Sequence, residues 1–384
     1  MNIGCDTMEL SVLQENLAKG LSIVSKAVDS RPNLPVLGNV LLEADDARLR
    51  LSATNLEMSI TCWIGAKVSQ PGSITLPAKT LSDLVANLSP ERVDLTLDTT
   101  SQTMRIRCGA TKSNIRGIDA DEFPSVPTGG QNDVIVPGTV LKEMIAQTVF
   151  AAAKDEARPI LTGVYILFEG DVLTMAAADG YRLAVRTAKI DSNFAEPFSM
   201  VVPARNLAEV GRIISDEDDE VGITLPGGRN TVMFHLRNVD VSSQLLEGKY
   251  PDFSAIIPRQ YRTQTVMYTS DLLRACQRAE IFARDNANSG RIFVKPPKAP
   301  GEPGEVVVLG RSIERGDNEG MLDAAVEGEE LDIAFNIRYL IDVLRVINEE
   351  RVVFQSNGKT EPGVIRPENR DDFIHVIMPM SVNS

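Results

Sequence analysis

The chain repeats itself at long range. Pro77-Ala78-Lys79-Thr80-Leu81 returns 126 residues later as Pro203-Ala204-Arg205-Asn206-Leu207, and a looser third copy stands at Phe335-Asn336-Ile337-Arg338-Tyr339-Leu340. Arg31-Pro32 returns as Arg158-Pro159, and Phe123-Pro124 as Tyr250-Pro251, each after 127 residues. Several landmarks agreeing on nearly one offset are hard to obtain by chance, and such self-similarity governs how every motif is read. A chain of 384 residues, 43% of them apolar, can hold roughly two to four domains of ordinary size, and the repeat selects three. They are expected at residues 1–129, 130–260 and 261–384, with junctions in the Pro-, Gly- and polar-rich stretches 125–133 and 258–264.

Each unit reads as α+β. In the first, Leu13, Leu17, Leu21 and Val24 recur at helical spacing within Ser11 to Ala27, and Arg31-Pro32 closes that helix. Strands are expected at Val40 to Leu42 and Arg48 to Ala53 around a turn at Asp45 and Asp46, then at Ser73 to Leu76, 92–97 and 103–108, with the repeat helix at 78–88. The second unit keeps this order: a helix at 138–153, strands at Gly163 to Phe168 and Val172 to Ala177, the helix after Pro203, an acidic turn from Asp216 to Glu220, and strands near 221–225 and 231–236. In the third, a strand at Thr265 to Tyr268 and a helix from Asp271 to Arg284 precede a Pro/Gly-rich surface loop, Pro296 to Pro303. Strands near 305–309 and 331–335, a helix at 336–348, and strands at Arg351 to Gln355 and Phe373 to Met378 complete it. Residues 1–7 are expected to be an unstructured leader.

Asp and Glu number 53 against 39 Lys and Arg, a net charge of −14, which argues against a nucleic-acid binder that works through a basic surface. The repeat helices answer that objection. Leu81, Leu84, Val85 and Leu88 share one face, as do Leu207, Val210, Ile213 and Ile214, and Leu340, Val343, Leu344 and Ile347; these faces are core. Two residues before the matched leucines stand Lys79, Arg205 and Arg338, and five after them stand Ala86, Arg212 and Arg345. Positions seven apart lie near one another on a helix. Either these are ordinary surface cations copied by duplication, or the like faces of several units point toward one polyanion. Units closed into a ring with these helices inward would line a duplex with basic groups while acidic loops such as Asp216 to Glu220 faced outward. Contacts of that kind are weak, salt-dependent and blind to sequence.

Other function classes lack material. Cys5, Cys62, Cys108 and Cys276 lie far apart without CxxC spacing, which indicates neither zinc nor a disulfide scaffold but reduced cytoplasmic thiols. No apolar run approaches the roughly 18 residues a membrane span needs, and Met1 to Thr7 lacks the regions of a signal peptide, so a cytoplasmic protein is expected. His235 and His375 are the only histidines, and no HExxH occurs. Gly358-Lys359-Thr360 has Val353 where a phosphate-binding loop needs glycine. An enzyme using Asp179 and Arg182 in an interdomain cleft is the competing class, but Asp179-Gly180 after a strand reads as a turn, and nothing assembles nucleophile, base and orienter. No catalysis, metal or cofactor is expected.

Three tandem units, Arg158-Pro159-Ile160-Leu161-Thr162-Gly163, Ala176 to Leu183, Lys249-Tyr250-Pro251-Asp252-Phe253 and the ending Val376-Ile377-Met378-Pro379-Met380 occur in the right order and the right repeats to resemble the bacterial DNA polymerase sliding clamp, the β subunit of the replicative polymerase. The resemblance runs from about Met8 to Met380. It implies three clamp-type domains, each with two helices packed on antiparallel sheets, forming half of a ring that a head-to-tail second copy completes around duplex DNA. It also implies loading by a separate ATP-driven complex, and docking of the polymerase catalytic subunit and repair polymerases by short peptides. A scaffold that binds peptides without encircling DNA is the alternative.

Carried over by position, the peptide pocket is expected to be walled by Leu161, Ala178, Gly180, Tyr181, Arg182, Leu183, Pro251, Ile256, Val364, Val376, Met378, Pro379 and Met380. Methionines adapt to varied partners, and exposed apolar residues at a chain end want a reason. By alternation alone, Val376 to Met380 reads equally as a core strand. Arg31 and Arg158 resemble duplex contacts, alongside Lys79, Arg205, Arg212, Arg338 and Arg345. Ile115, Ile281 and Phe282 are implied at the dimer joint, with Ser113 where some relatives carry a bulky apolar residue. Ala178, in place of a common threonine, and the ending Ser381-Val382-Asn383-Ser384 imply an altered peptide preference.

Overall fold

In a computed structural model, residues 8–381 are described except 30, 156, 217, 228, 229 and 300. The leader expected at 1–7, part of the acidic turn and the last three residues lie outside the described residues. The first repeat contains β1 (Glu9–Leu13), α1 (Gln14–Val24), β2 (Asn39–Asp45), β3 (Arg48–Thr54), β4 (Met58–Gly65), β5 (Lys67–Gln70) and β6 (Gly72–Pro77). It continues with α2 (Ala78–Ala86), β7 (Arg92–Asp98), β8 (Thr103–Cys108) and β9 (Thr111–Arg116). The second contains β10 (Val134–Pro137), α3 (Gly138–Thr148), β11 (Gly163–Ala178), β12 (Arg182–Pro203), α4 (Ala204–Ile213), β13 (Glu220–Thr224), β14 (Thr231–His235) and β15 (Val239–Gln244). The third contains β16 (Thr263–Tyr268), α5 (Thr269–Ala283), β17 (Ser289–Lys295), β18 (Gly304–Ser312), β19 (Gly316–Gly328) and β20 (Leu331–Asn336). It closes with α6 (Ile337–Leu344), β21 (Arg351–Ser356), β22 (Gly363–Pro367) and β23 (Phe373–Ile377).

Two helices per repeat, as periodicity predicts, sit among antiparallel strands. Leu207, Val210, Ile213 and Ile214 are buried, as are Leu340, Val343, Leu344 and Ile347; on α2, Leu81 and Val85 are buried and Leu84 and Leu88 half-buried. The first helix is shorter than expected. Its leading residues form β1, whose alternation buries Leu10 and Val12, so Leu13 ends a strand with 58% of its surface exposed. The turn after β2 is displaced by one residue from Asp45-Asp46. Asp46 and Ala47 both take positive φ, 41° and 65°, as a two-residue hairpin with Asp45 opposite Arg48 requires. The strands absent from the sequence reading include β9 (TKSNIR) and β19 (GDNEGMLDAAVEG), whose side chains lack apolar alternation and whose order comes from ladder partners.

The compact units do not follow the repeat. One comprises Met1–Leu141 with Arg212–Leu245, the other Lys142–Gly211 with Leu246–Ser384. Sheet continuity explains the difference. In the first unit, β4 pairs with β15, so eight strands run β10-β13-β14-β15-β4-β3-β2-β6; β5-β1-β7-β8-β9 form a second sheet. In the second unit, β12 pairs with β23, giving ten strands in the order β11-β12-β23-β22-β21-β16-β19-β18-β17-β20. Backbone hydrogen bonds thus cross from one repeat into the next within each unit. On this ten-stranded sheet α5 packs closely: a Cβ on Gly310 of β18 would lie 2.1 Å from the Ala279 carbonyl oxygen.

Candidate binding groove

The second unit carries all the positions expected to wall a groove, and they gather around a tight turn. β11 ends at Ala178 and β12 starts at Arg182, so Asp179-Gly180-Tyr181 must reverse the chain. Asp179 Oδ1 accepts hydrogen bonds from the Tyr181 and Arg182 amides at 2.9 and 3.0 Å, forming an Asx turn. Gly180 takes φ +92°, a conformation costly for residues with a Cβ. The expected turn role of Asp179-Gly180 therefore holds, and the carboxylate is occupied by the turn itself.

Arg182 is fixed from three sides. Only 6% exposed, it donates from Nε to Asp179 Oδ2 at 3.0 Å, from Nη1 to Asp342 Oδ2 at 2.7 Å and from Nη2 to the Phe150 carbonyl at 2.6 Å. Its guanidinium lies 4.2 Å from the centre of the Tyr339 ring. A cation taken out of water needs such partners, and here they lock the side chain into the wall. Asp342 and Phe150 escape sequence reading because both are remote in the chain and neither stands in a motif.

Beneath the surface, Ala176, Leu183, Val185, Val364 and Val376 form one apolar cluster, and Leu161, Val201 and Tyr250 another; Tyr165 and Phe253 pack against both. Strand pairing sets this register, with Val376 opposite both Leu183 and Val364. The Tyr250 hydroxyl accepts the Ala178 N–H at 3.0 Å, and burial pushes its phenol up to about 12, so it stays neutral. A charged cluster braces the same ladder. Arg186, 4% exposed, donates to Asp372 Oδ2 at 2.6 Å and Glu143 Oε2 at 3.2 Å, while Arg370 bonds Asp372, Glu143 and Glu349. Sequence reading missed the charged cluster of Glu143, Arg186, Glu349, Arg370 and Asp372.

The thirteen wall positions therefore differ in kind. Leu161, Leu183, Val364 and Val376 are floor, already packed in the core. Tyr181 (64% exposed), Met378 (40%), Pro251, Ile256 and Gly180 are exposed, and Ala178, Pro379 and Met380 half-buried. Val376 and Met378 stand two apart, yet one is core and the other surface, because β23 ends at Ile377. Beyond it the Met378 N–H donates to the Tyr181 carbonyl at 2.8 Å and the Met380 N–H to that of Ala334 at 2.8 Å, holding the chain end beside the turn.

Arg31, Lys79, Arg158, Arg205, Arg212, Arg338 and Arg345 are all exposed. Lys79 Nζ bonds Asp83 at 2.9 Å, Arg338 Nε bonds Glu280 at 3.0 Å, and Arg158 Nη2 bonds the Asp179 carbonyl at 3.0 Å. Of the residues expected at a dimer joint, Ile281 is exposed, Phe282 half-buried and Ile115 buried within its own chain.

One arrangement departs from the sequence reading of catalysis. In the first unit Asp240 Oδ1, His235 and Thr224 Oγ1 form a chain with 2.9 Å at each link, an order that resembles orienter, base and nucleophile. The Thr224 hydroxyl, however, donates to the Gln131 carbonyl at 2.8 Å, and Asp240 Oδ2 accepts from the Gly129 amide at 2.8 Å. The trio pins residues 129–131 against the sheet. Among the described residues no group of three or more His, Cys, Asp or Glu is placed to hold a metal, and no helix is long and apolar enough to cross a membrane. Cys62, Cys108 and Cys276 are buried free thiols.

Comparison with known proteins covers the whole of this geometry. Residues 8–127, 135–252 and 254–381 match, in order, the N-terminal, central and C-terminal domains of the DNA polymerase III beta subunit family. The beta sliding clamp of Synechococcus elongatus is 34% identical across 98% of this chain and all of its own, and that of Bacillus subtilis 33% identical across 97% and 99%. The crystal structure of the Bacillus subtilis sliding clamp superposes with a TM-score of 0.90 at 31% identity, covering 98% of this chain and 99% of that one. The Pseudomonas aeruginosa sliding clamp bound to griselimycin superposes with a TM-score of 0.89 at 27% identity, covering 98% and 100%.

Proposed function

The chain belongs to the bacterial DNA polymerase III β-subunit family, the sliding clamps, and on that footing we infer that two copies close head to tail into a ring around duplex DNA. It is a DNA polymerase processivity factor; the observation that carries this is full-length agreement with a solved sliding clamp at a TM-score of 0.90. We divide it into clamp domains at 1–129, 130–260 and 261–384. In this reading it works in the cytoplasm, performs no chemistry, and is placed on DNA by a separate ATP-driven loader. Arg31, Lys79, Arg158, Arg205, Arg212, Arg338 and Arg345 face the duplex and meet phosphates, so the ring slides. Residence comes from enclosure. Ile281 and Phe282 meet Ile115 and its surroundings on the other copy. After loading, the protein should stay on circular duplex and run off linear duplex of equal length; equal loss from both would defeat the ring.

The groove is the seat for polymerase and repair-polymerase peptides. An apolar floor under an exposed rim of Tyr181, Ile256 and Met378 supports this, since such a patch on a soluble surface needs an occupant. Met378→Ala should weaken a polymerase tail peptide by about 1–2 kcal/mol, roughly five- to thirtyfold, as truncation at a covered apolar contact does. Calorimetry giving an unchanged affinity would remove Met378 from the seat.

A further inference from the structure

We propose that the groove continues past its apolar floor into a positively charged side pocket, in which Arg259 and Arg366 take an acidic side chain flanking the apolar anchor of a docking peptide. The inference rests on the reading of this site as a peptide groove. Strand register lays the path. Leu183 stands opposite Val376, Val376 opposite Val364, and Val364 opposite Gln355, so one cross-strand rank runs from the groove floor on β12 to β21. Arg366, two residues beyond Val364 on β22, shares its face of the sheet. The outer wall is continuous as well. Pro251 and Ile256 stand on the exposed rim, and Ile257 packs against the floor cluster. Pro258 to Tyr261 then wall a cavity of about 260 Å³ together with Gln355, Val364, Arg366 and Asp371.

Size and charge decide what enters. The cavity is smaller than a site for a drug-sized ligand but suits a side chain. Neighbouring strands stand roughly 4.8 Å apart, so an extended peptide covers the step from Val364 to Gln355 within about two residues. On a chain of net charge −14, the charged groups lining this cavity are two arginines and one carboxylate. That carboxylate competes poorly. Asp371 Oδ1 accepts from Arg366 Nη1 at 3.3 Å while 96% of its side chain is exposed, and surface pairs of this kind hold weakly. Two amides at the cavity already serve the protein itself: Gln355 Nε2 donates to Gln264 Oε1 at 2.7 Å, and Asn357 Nδ2 to the Gln260 carbonyl at 2.8 Å. The guanidinium groups add planar forks of N–H donors that match a carboxylate. An acidic side chain therefore fits here, whereas an apolar one would strip water from the arginines without replacing it.

The test uses the full-length protein and polymerase tail peptides that differ only in carrying Glu or Gln at a position adjacent or next-adjacent to the apolar anchor. At one of these positions, at low ionic strength, the Glu peptide should bind about fivefold more tightly than the Gln peptide, the worth of one charge-assisted hydrogen bond near the surface. The preference should shrink as salt rises. In Arg259→Gln combined with Arg366→Gln it should vanish. Asp371→Asn, an exposed change that releases Arg366, should instead raise the preference about twofold, a readout that does not depend on the double variant. Met378→Ala should weaken both peptides alike and keep their ratio. Equal binding of Glu and Gln peptides at every position, or a preference that survives the loss of both arginines, would overturn the acidic side pocket and leave the groove standing. Failure of all the peptides to bind would instead remove the groove reading, and the inference with it.

Discussion

Replacing Arg182 by methionine should lower the unfolding free energy of the second unit by about 3 kcal/mol, the scale expected when one member of a buried ion pair is removed and its partners are left behind. Methionine restores much of the volume but none of the three bonds. Asp179 then loses the partner of Oδ2, Asp342 loses its cation, and the Phe150 carbonyl loses a donor. Asp342 is partly exposed and regains water, which keeps the cost at the lower end. The same variant should lose peptide binding, because Tyr181 and Met378 hang on the turn that Arg182 secures. Denaturant unfolding followed in the second unit gives the number; a loss under about 1 kcal/mol would mean that the pair is not a structural tie.

Acid should destabilise the second unit through His375, more than exposed histidines would. His375 is fully buried on β23, with its ring 5.3 Å from that of Phe150, and neither ring nitrogen has a hydrogen-bond partner among the described residues. Burial, reinforced by the Arg182 charge, pushes its pKa down from 6.5 to about 3. The folded state therefore refuses a proton that the unfolded chain accepts. Its contribution to stability is complete above pH 6.5 and is lost as pH falls toward 3, at about 1.4 kcal/mol per pH unit. His375→Leu should be more stable than the parent near neutrality, because it removes unpaired polar atoms from the core. Its advantage should widen by about 2–3 kcal/mol between pH 7.5 and 4.5. Parallel stability profiles for the two proteins would show that His375 finds a partner or a route to water.

Much of this molecule is written locally. The 126- and 127-residue offsets, the leucine faces of the repeat helices and the Asp179-Gly180 turn follow from nearest neighbours along the chain, where helical spacing, turn chemistry and duplication leave marks a single sequence displays. The order of motifs from Arg158 to Met380 also names the positions proposed to form the groove. What the sequence could not supply is which apolar residues of that groove are floor and which are rim, since Val376 and Met378 look alike until the β12–β23 ladder buries one and stops short of the other. Nor could it supply Asp342 for Arg182, Glu143 and Asp372 for Arg186, or Gln131 for Thr224. Such partners lie scores of residues apart and carry no shared period. They meet only because strand register and the packing of helices and loops on the sheets, both long-range properties of the fold, bring them within hydrogen-bonding distance.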